Sequence, residues 1–266
     1  MQKKVLFTML SMLVILAIAV SPVGAITDGE PDGDNHPYVG LMVADNSSGN
    51  PMWRCSGTLI SPTIFLTAGH CTFGAARVTI WFESDVQNTP GLGYPNGGPT
   101  SVDGTPYAHP QYDDNAFFLH DLGVVVLDTP VVKSTYGKLP ALNSLDALRP
   151  NSKTTFTAVG YGLQKAFPTA TDWKESRQRV RMVASPHLVQ INTGFTGDGS
   201  LILSNNTRTG GTCFGDSGGP NFVGTSNTVG GVTSFGLNGT CGGTGGVYRV
   251  DRADDLNWLA TFGVAP

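Results

Sequence analysis

The chain has 266 residues and a formal net charge of −4, and 14% of its residues are charged. This length suits one large hydrophobic core or two smaller ones. The 35 glycines and 17 prolines amount to about one residue in five, which indicates many tight turns but stays below the level typical of disordered chains. The sequence has no cluster of positive charge of the kind that binds nucleic acid.

The first 25 residues have the layout of a secretory signal peptide. Two lysines precede an apolar run over residues 5–20, and small residues follow, ending in Gly24 and Ala25. The run is shorter than the roughly 20 residues that a membrane-spanning helix needs. We therefore expect cleavage after Ala25, an extracellular mature protein, and no membrane association after cleavage.

Short runs with a two-residue alternation recur along the rest of the chain. They predict strands at Tyr38–Val43, Arg77–Glu83, Gly123–Leu127, Thr154–Val159, Arg177–Val183 and Gly230–Phe235. This pattern favours an all-β sandwich or barrel. Within one of these runs Arg177, Arg179 and Arg181 alternate, which predicts a solvent-facing side of that strand.

Two irregular stretches and one helix complete the predicted elements. Asn88–Pro106 is rich in Gly, Pro and Thr and is predicted to be a long loop, whereas Tyr136–Ser152 is predicted to join two halves of the protein. A helix is predicted over Asp251–Phe262. Its shared apolar face consists of Leu256, Leu259 and Ala260.

A hydroxyl and a carboxylate stand among glycines in the stretch GDSGGP at residues 215–220. Such residues form ordinary turns, but GDSGG also fits the Gly-x-Ser-x-Gly turn of α/β-hydrolases, in which the histidine follows the serine. That second interpretation fails because all five histidines precede Ser217. They are His36, His70, His109, His120 and His187.

A serine is a poor nucleophile until a base takes its proton and a third group holds that base. Any partner of Ser217 must therefore lie earlier in the chain. His70 follows a β-like run in LTAGHC, and Asp121 begins an apolar strand in HDLGVVVLD. The order His, Asp, Ser is one of the known orders for such a triad.

With these stretches in place, the chain resembles the chymotrypsin/trypsin-like serine proteases from Ile26 to the C-terminal helix. The matching stretches are ITDGEPD, PYVGLMV, CSGTLISPTIFLTAGHC, AHPQYDDNAFFLHDLGVVVLD, TAVGYG, CFGDSGGP, TSFG and GGVYRV. The resemblance implies an all-β fold of two packed six-stranded antiparallel β-barrels with a C-terminal helix. Residues 26–146 would form the barrel that carries His70 and Asp121, and residues 147–266 the barrel that carries Ser217.

The resemblance also implies roles for individual residues. Ser217 would be the nucleophile, His70 the general base and then acid, and Asp121 the group that fixes the imidazole tautomer. The backbone N–H groups of Gly215 and Ser217 would form the oxyanion hole. Active members of the family are serine endopeptidases that work through an acyl-enzyme.

Four cysteines in an exported chain indicate two disulfides, with three pairings open. The resemblance selects Cys55–Cys71, which bracket the histidine segment, and Cys213–Cys241, which bracket the serine and one wall of the specificity pocket. We interpret both disulfides as structural.

Asp216 lies between the two oxyanion residues, and a buried carboxylate without a partner is costly. In the family its partner is the α-ammonium group of a mature chain that begins with Ile or Val, which indicates Ile26 here. Signal peptidase would then create the active terminus directly. The alternative is cleavage after Ala19, which would leave residues 20–25 as a short propeptide.

The resemblance assigns four residues to the specificity pocket: Gly211 to its floor, Thr212 to its lining, and Gly236 and Gly246 to its walls. A glycine in place of an acid at the floor argues against a preference for Arg or Lys. Small walls leave space for a bulky side chain. We therefore expect cleavage after large apolar or aromatic residues.

The implied partners are protein or peptide substrates, with protein inhibitors as a second class, and the implied state is a monomer. No cofactor and no metal are expected, because no two histidines have a ligand-like spacing with Cys or acidic partners. His120 is expected to face away from Asp121, and His36, His109 and His187 are expected at the surface or in loops. Two alternatives stay open, namely an inactive protease-like binding protein and an esterase-like hydrolase with the same triad.

Overall fold

The computed structural model describes residues 26–166 and 178–266. The predicted signal peptide, the alternative propeptide and Arg177 lie outside these residues. Within the described ranges, no helix is both long and apolar enough to cross a membrane.

The first half of the chain folds into a closed barrel of six antiparallel strands. These are β2 (Val39–Asp45), β3 (Pro51–Leu59), β4 (Ile64–Thr67), β5 (Arg77–Trp81), β6 (Val102–Ala108) and β7 (Gly123–Leu127). Neighbours in the barrel follow the order β2-β3-β4-β7-β6-β5, and β5 pairs with β2 to close it. Closure leaves no strand edge unpaired along the wall, which is how small antiparallel barrels avoid edge-to-edge association.

The second half forms another closed ring of six antiparallel strands. They are drawn from β8 (Asn151–Gly160), β9 (Met182–Ala184), β10 (His187–Thr193), β11 (Gly197–Asn205), β12 (Pro220–Val223), β13 (Val229–Gly236) and β14 (Gly243–Arg249). The ring runs β8-β10-β11-β14-β13-β12 and returns to β8, while β9 adds to the outer edge of β8. The predicted fold of two six-stranded barrels is confirmed.

Close packing of glycine against aromatic rings lets the first barrel curve tightly. Every residue of β2 is buried, and the Phe65 ring on β4 lies directly over Gly57 on β3. A Cβ atom at position 57 would lie only 2.3 Å from that ring and 2.6 Å from the Leu66 carbonyl oxygen. A larger residue at 57 would therefore force the two strands apart.

The two ends of the chain cross over to the opposite barrels. The short strand β1 (Glu30–Pro31) pairs with β9 of the second barrel. Helix α2 (Ala253–Ala260) ends the second half of the chain but packs on the first barrel. There the Trp258 ring contacts His109 at 5.0 Å and the Phe262 ring contacts Tyr107 at 5.4 Å. The domain boundary at residue 146 stays a prediction, and a division there would separate each terminal segment from the barrel on which it packs.

Some predicted bounds differ from the structure. The long loop after Asn88 ends before Pro106, because β6 begins at Val102. Pro106 fits in this strand since β6 pairs with β5 only up to Gly104, which leaves the position of its missing N–H without a neighbour on that side.

The C-terminal helix buries most of the predicted face, with one residue of it replaced. Leu256 and Leu259 are buried as expected, whereas Ala260 is exposed. Asp255 takes a buried position instead, where both of its carboxylate oxygens accept the Tyr248 hydroxyl at 3.0 to 3.1 Å. Apolar spacing could not show this, because the carboxylate is buried through its hydrogen bond.

The prediction that Arg181 faces solvent is wrong. Its side chain is fully buried, and Nε donates to the carboxylate of Asp32 at 2.9 Å. The Nη1 group donates to the carbonyl oxygens of Val39 and Phe82 in the first barrel and to the Tyr161 hydroxyl. One guanidinium therefore joins the N-terminal segment, the first barrel and the second barrel.

We expect Arg181→Met to lower the free energy of unfolding by about 3–5 kcal/mol, because it leaves the buried Asp32 carboxylate with His36 alone and removes the bonds to Val39, Phe82 and Tyr161. Urea denaturation measures this loss. Arg149→Gln is the matched control, since Arg149 is exposed and bonds only to nearby backbone carbonyl oxygens. Equal stability of the two variants would contradict the assigned role of Arg181.

Candidate active site

Strand pairing in the first barrel brings His70 and Asp121 together. His70 lies in the single-turn helix α1 (Gly69–Thr72), directly after β4, and Asp121 lies just before β7. Strands β4 and β7 pair with Thr67 opposite Gly123. The two side chains therefore leave neighbouring strand ends on the same rim of the barrel.

The imidazole of His70 is held by the carboxylate of Asp121. Nδ1 of His70 lies 2.9 and 3.1 Å from the two carboxylate oxygens, and the backbone N–H of His70 donates to the same carboxylate at 2.8 Å. A third donor, the Ser234 hydroxyl from β13 of the second barrel, also reaches Asp121. With Nδ1 donating to a carboxylate, Nε2 is left to accept a proton.

The charge of Asp121 also sets the basicity of His70. Burial by itself lowers the pKa of His70, but the adjacent Asp121 carboxylate outweighs burial, and the net pKa lies above its ordinary value. Asp121 is fully buried, so its attraction for the imidazolium is weakly screened by solvent. This arrangement stabilises a protonated His70.

The His120 side chain contacts residues outside the His70–Asp121 pair, as expected. Its ring stacks on His109 with centroids 5.2 Å apart, and its Nδ1 lies 3.2 Å from the Asp254 carboxylate. His109 is buried against expectation, because its ring packs under helix α2.

Within the described residues His109, His120 and Asp255 lie close enough to resemble a metal site. Hydrogen bonds already account for two of them, because Nδ1 of His109 accepts the Gln111 N–H at 3.2 Å and Asp255 accepts the Tyr248 hydroxyl. Metal binding through Nε2 of His109 would require a proton on Nδ1. That proton would conflict with the Gln111 N–H, which already donates to Nδ1. We assign no metal to this cluster, and the absence of one stays a prediction.

Ser217 from the second barrel approaches His70 through its neighbour Gly218. The backbone N–H of Ser56 donates to the Ser217 carbonyl oxygen at 2.8 Å. A Cβ atom on Gly218 would lie 2.0 Å from Thr67 Oγ1 and 2.8 Å from the Ala68 N atom, so this segment lies against the residues that lead into α1. Among the described contacts, no hydrogen bond joins the Ser217 hydroxyl to His70.

Two backbone donors beside Ser217 are unused. Within residues 26–166 and 178–266, the N–H groups of Gly215 and Ser217 have no acceptor, although the N–H groups of Asp216, Gly218 and Gly219 all donate to backbone carbonyl oxygens. Gly215 has a φ of 97°, a conformation that glycine adopts without strain. The carbonyl oxygen of Gly215 is turned away and accepts the Ser56 hydroxyl at 3.0 Å. Two free donors on one turn suit a developing negative charge.

Asp216 is fully buried behind this turn. Its two oxygens accept the backbone N–H groups of Gly162 at 2.7 Å and Cys213 at 2.9 Å. Burial raises the pKa of Asp216 to about 7, even though these two bonds and the more distant Arg54 lower it. The carboxylate has no ion-pair partner among the described residues.

The segment that begins at Ile26 is inserted into the second barrel. Ile26 is fully buried and packs with Ala158, Met182 and Ala184. The next residue, Thr27, accepts the Gly211 N–H at its carbonyl oxygen at 3.0 Å. In the uncleaved chain the nitrogen of Ile26 belongs to a peptide bond with Ala25, so it carries no charge.

Ser217 borders a cavity of about 320 Å³ in the second barrel. Of the four residues predicted for the specificity pocket, Thr212 and Gly236 line this cavity. Gly211 does not, because Asn205 covers it at 2.3 Å from the position of a Cβ. Gly246 does not either, because the Phe235 ring lies 2.3 Å from the position of its Cβ.

Sequence reasoning missed several contributors to the site. Ser234 lies in TSFG, a stretch that carries the resemblance but received no role. Gly160 and Gly162 lie in TAVGYG, and a Cβ at either position would lie within 2.5 Å of the Asp216 carboxylate. Their sequence signal is the pair of glycines around a tyrosine.

Both disulfides predicted from the resemblance are present.

Comparison with known proteins agrees with this geometry. The trypsin family model matches residues 28–256. The chain is 31% identical to Serine protease 1 of Drosophila melanogaster over 222 residues, which is 82% of this chain and 78% of that protein. It is 29% identical to a chymotrypsin of Phaedon cochleariae, covering 85% and 77%.

Among solved structures, HL collagenase superposes with a TM-score of 0.69 at 21% identity, covering 91% of this chain and 100% of the other. At this identity the likeness concerns the fold alone, and the family rests on the sequence matches. Motif order, fold and matches together show that the chain belongs to the trypsin family of serine proteases.

Proposed function

We propose that this protein is a secreted serine endopeptidase that hydrolyses peptide bonds through an acyl-enzyme intermediate. The observation that carries the proposal is the His70–Asp121 pair next to two backbone N–H groups, of Gly215 and Ser217, that have no acceptor in the described chain. A positioned base and a preorganised anion site are the two parts that acyl transfer by serine requires.

In the first half-reaction the Ser217 hydroxyl oxygen attacks the scissile carbonyl carbon while Nε2 of His70 takes its proton. The buried Asp121 stabilises the imidazolium and holds it in position. The carbonyl oxygen becomes an oxyanion that accepts the N–H groups of Gly215 and Ser217. His70 then gives its proton to the departing amine, which leaves an ester on Ser217.

In the second half-reaction water attacks that ester with His70 again as base. The same two N–H groups donate to the second oxyanion, and the proton returns to Ser217 as the acid product leaves. The raised pKa of His70 favours the imidazolium that both half-reactions pass through.

The proposed activating step is cleavage directly before Ile26. The new α-ammonium group would form an ion pair with Asp216, whose buried carboxylate has no ion-pair partner among the described residues of the uncleaved chain. Because Asp216 lies between the two oxyanion donors, this pair would order the turn and bring the Ser217 hydroxyl within reach of His70. N-terminal sequencing of the secreted protein separates a start at Ile26 from a start at Val20.

The specificity pocket is proposed to accept large apolar or aromatic side chains. Support comes from the cavity beside Ser217, whose lining includes Phe117, Phe235, Thr212 and Gly236 and, as far as the structure describes the chain, contains no charged side chain. Gly211 and Gly246 stay predicted members of the pocket, to be reached only if Asn205 and the Phe235 ring move. Protein or peptide substrates follow from the family, and a monomeric state and protein inhibitors stay predictions.

The expected result with an organophosphonate fluoride is stoichiometric labelling that is lost in Ser217→Ala, because only an activated serine attacks phosphorus. Mass spectrometry measures the label. Asp121→Asn should retain the fold but lower kcat by about 10⁴-fold, through loss of the correct imidazole tautomer.

Absence of labelling in a protein that starts at Ile26 would favour the inactive binding protein. Labelling with hydrolysis of esters but not of any peptide would favour the esterase alternative.

A second prediction concerns stability and pH. In the uncleaved chain the folded state binds the Asp216 proton more tightly than the unfolded state, so stability is lost as the pH rises from about 4 to about 7. The shift corresponds to roughly 4 kcal/mol. A free Ile26 ammonium lowers the pKa of Asp216 and removes this loss.

Two Ser217→Ala proteins test this, one that starts at Ile26 and one that retains residues 20–25. Their Tm values should agree near pH 4 and diverge towards pH 7, with the extended protein less stable. Asp216→Asn in both is the control and should remove the divergence. Parallel Tm curves across this pH range would refute the proposed ion pair.

A third prediction tests the pocket. Gly236→Val should lower kcat/KM for substrates with Phe before the scissile bond by about 10- to 100-fold relative to substrates with Ala, because a side chain at 236 narrows the cavity. A Cβ there would lie 3.2 Å from the Asn238 carbonyl oxygen, so the Asn238 backbone must shift slightly, but Gly236 is exposed and its substitution leaves the core in place. Profiling with a peptide library measures the change, and dominant cleavage after Arg or Lys in the unaltered protein would contradict the pocket assignment.

A further inference from the structure

A second cavity, of about 350 Å³, lies on the other side of the oxyanion turn from the specificity cavity. Phe214 lines both cavities, and Gly215 lines only this one. Its other walls include Trp53, Arg54, Tyr94 and Arg179. We call it the arginine cavity.

The position of the arginine cavity suits the part of the substrate that follows the scissile bond. If the specificity cavity holds the residue before the scissile bond and the N–H of Gly215 holds the carbonyl oxygen, the chain beyond the bond continues past Phe214 and Gly215. This assignment rests on the proposed function. The arginine cavity then receives the first or second residue after the scissile bond.

The cavity concentrates positive charge in a protein whose net charge is negative. Arg54 lies against the oxyanion turn, since its Nε is 3.4 Å from the position of a Cβ on Gly215. The Arg179 guanidinium lies over the Tyr94 ring at 4.7 Å, and the Tyr94 hydroxyl interacts with Arg54. The Tyr94 side chain thus lies next to both cations.

These cations lack acidic partners in the described chain. None of the ion pairs found there includes Arg54 or Arg179. Arg179 bonds to the neutral Gln87 amide through Nη1, and its buried Nε has no hydrogen-bond partner there. Burial lowers the pKa of Arg54, and the charge of Arg179 lowers it further. Two partly desolvated guanidinium groups that repel each other attract an anion.

Cleavage before Ile26 would increase the attraction of the arginine cavity for an anion. In the uncleaved chain the ionised form of Asp216 attracts Arg54 and opposes part of the effect of its burial. In the proposed active form the Ile26 ammonium neutralises Asp216, and the arginine cavity loses that compensation. A carboxylate from the substrate can replace it, because the guanidinium fork matches carboxylate geometry.

We infer that this enzyme prefers peptides with Glu or Asp at the first or second position after the scissile bond, with Arg54 as the specificity-determining residue and Arg179 supporting it. Exposed apolar side chains on the rim, Met52, Trp53 and Phe214, contact the aliphatic part of the bound residue.

Matched peptides test the inference. All carry one aromatic residue before the cleaved bond, and either the first or the second position after it holds Glu, Gln or Lys. At low ionic strength we expect kcat/KM to fall in the order Glu, Gln, Lys at one of these positions, with Glu at least about fivefold above Gln. Arg54→Gln should reduce the Glu-to-Gln ratio to about one, while Arg149→Gln, an exposed charge change outside both cavities, should leave it intact.

The inference also predicts that the Glu-to-Gln ratio of kcat/KM depends on salt concentration. This measurement uses the unaltered protein, so it tests the inference even if Arg54→Gln does not fold. Raising NaCl from about 50 mM to about 1 M screens a partly exposed charge pair and should lower the ratio. Hydrolysis at equal rates for Glu and Gln at both positions, or a ratio independent of salt, overturns the inference while the proposed function stands. Failure to cleave any peptide, together with failure of Ser217 to take the organophosphonate label, overturns the proposed function itself.

Discussion

The buried carboxylate of Asp216 is the constraint on which the site depends. It lies between the two backbone donors proposed for the oxyanion, and it has no cation among the described residues of the uncleaved chain. Its two backbone hydrogen bonds are not enough to hold its pKa near the ordinary value. The conformation of the turn at residues 215–217 therefore depends on the group that supplies a positive charge to Asp216.

The seam between the barrels is held by a few polar bonds of high directionality. Asp121 accepts from His70 of the first barrel and from Ser234 of the second, and Ser56 of the first barrel bonds to Gly215 and Ser217 of the second. The Ser234 and Ser56 bonds cross between the barrels, so the second barrel helps to hold Asp121 and the first barrel helps to hold the turn at Gly215 and Ser217. The catalytic geometry is therefore a property of the interface, and neither barrel contains it alone.

Sequence sufficed for the features that depend on residue type and order. The strand Gly123–Leu127 could be predicted from residue pattern, and the two disulfides from the resemblance to the family, whereas the triad of His70, Asp121 and Ser217 stays a prediction. The alternation of arginines gave a wrong prediction for Arg181. Periodicity shows which residues share one side of a strand, but it does not show that the buried carboxylate of Asp32 lies on that side. It also could not show that Phe235 covers Gly246, since that contact depends on register across two strands.

The exchanged ends of the chain affect how such a protein can be divided or recombined. The segment after Ile26 pairs with the second barrel through β1, and helix α2 packs under the first barrel. A chimera that swaps one barrel with a relative must therefore carry the terminal segment that docks on it, although that segment is encoded at the far end of the gene. Cut at the middle connection alone, each half would expose the apolar surface that the other half's terminus had covered.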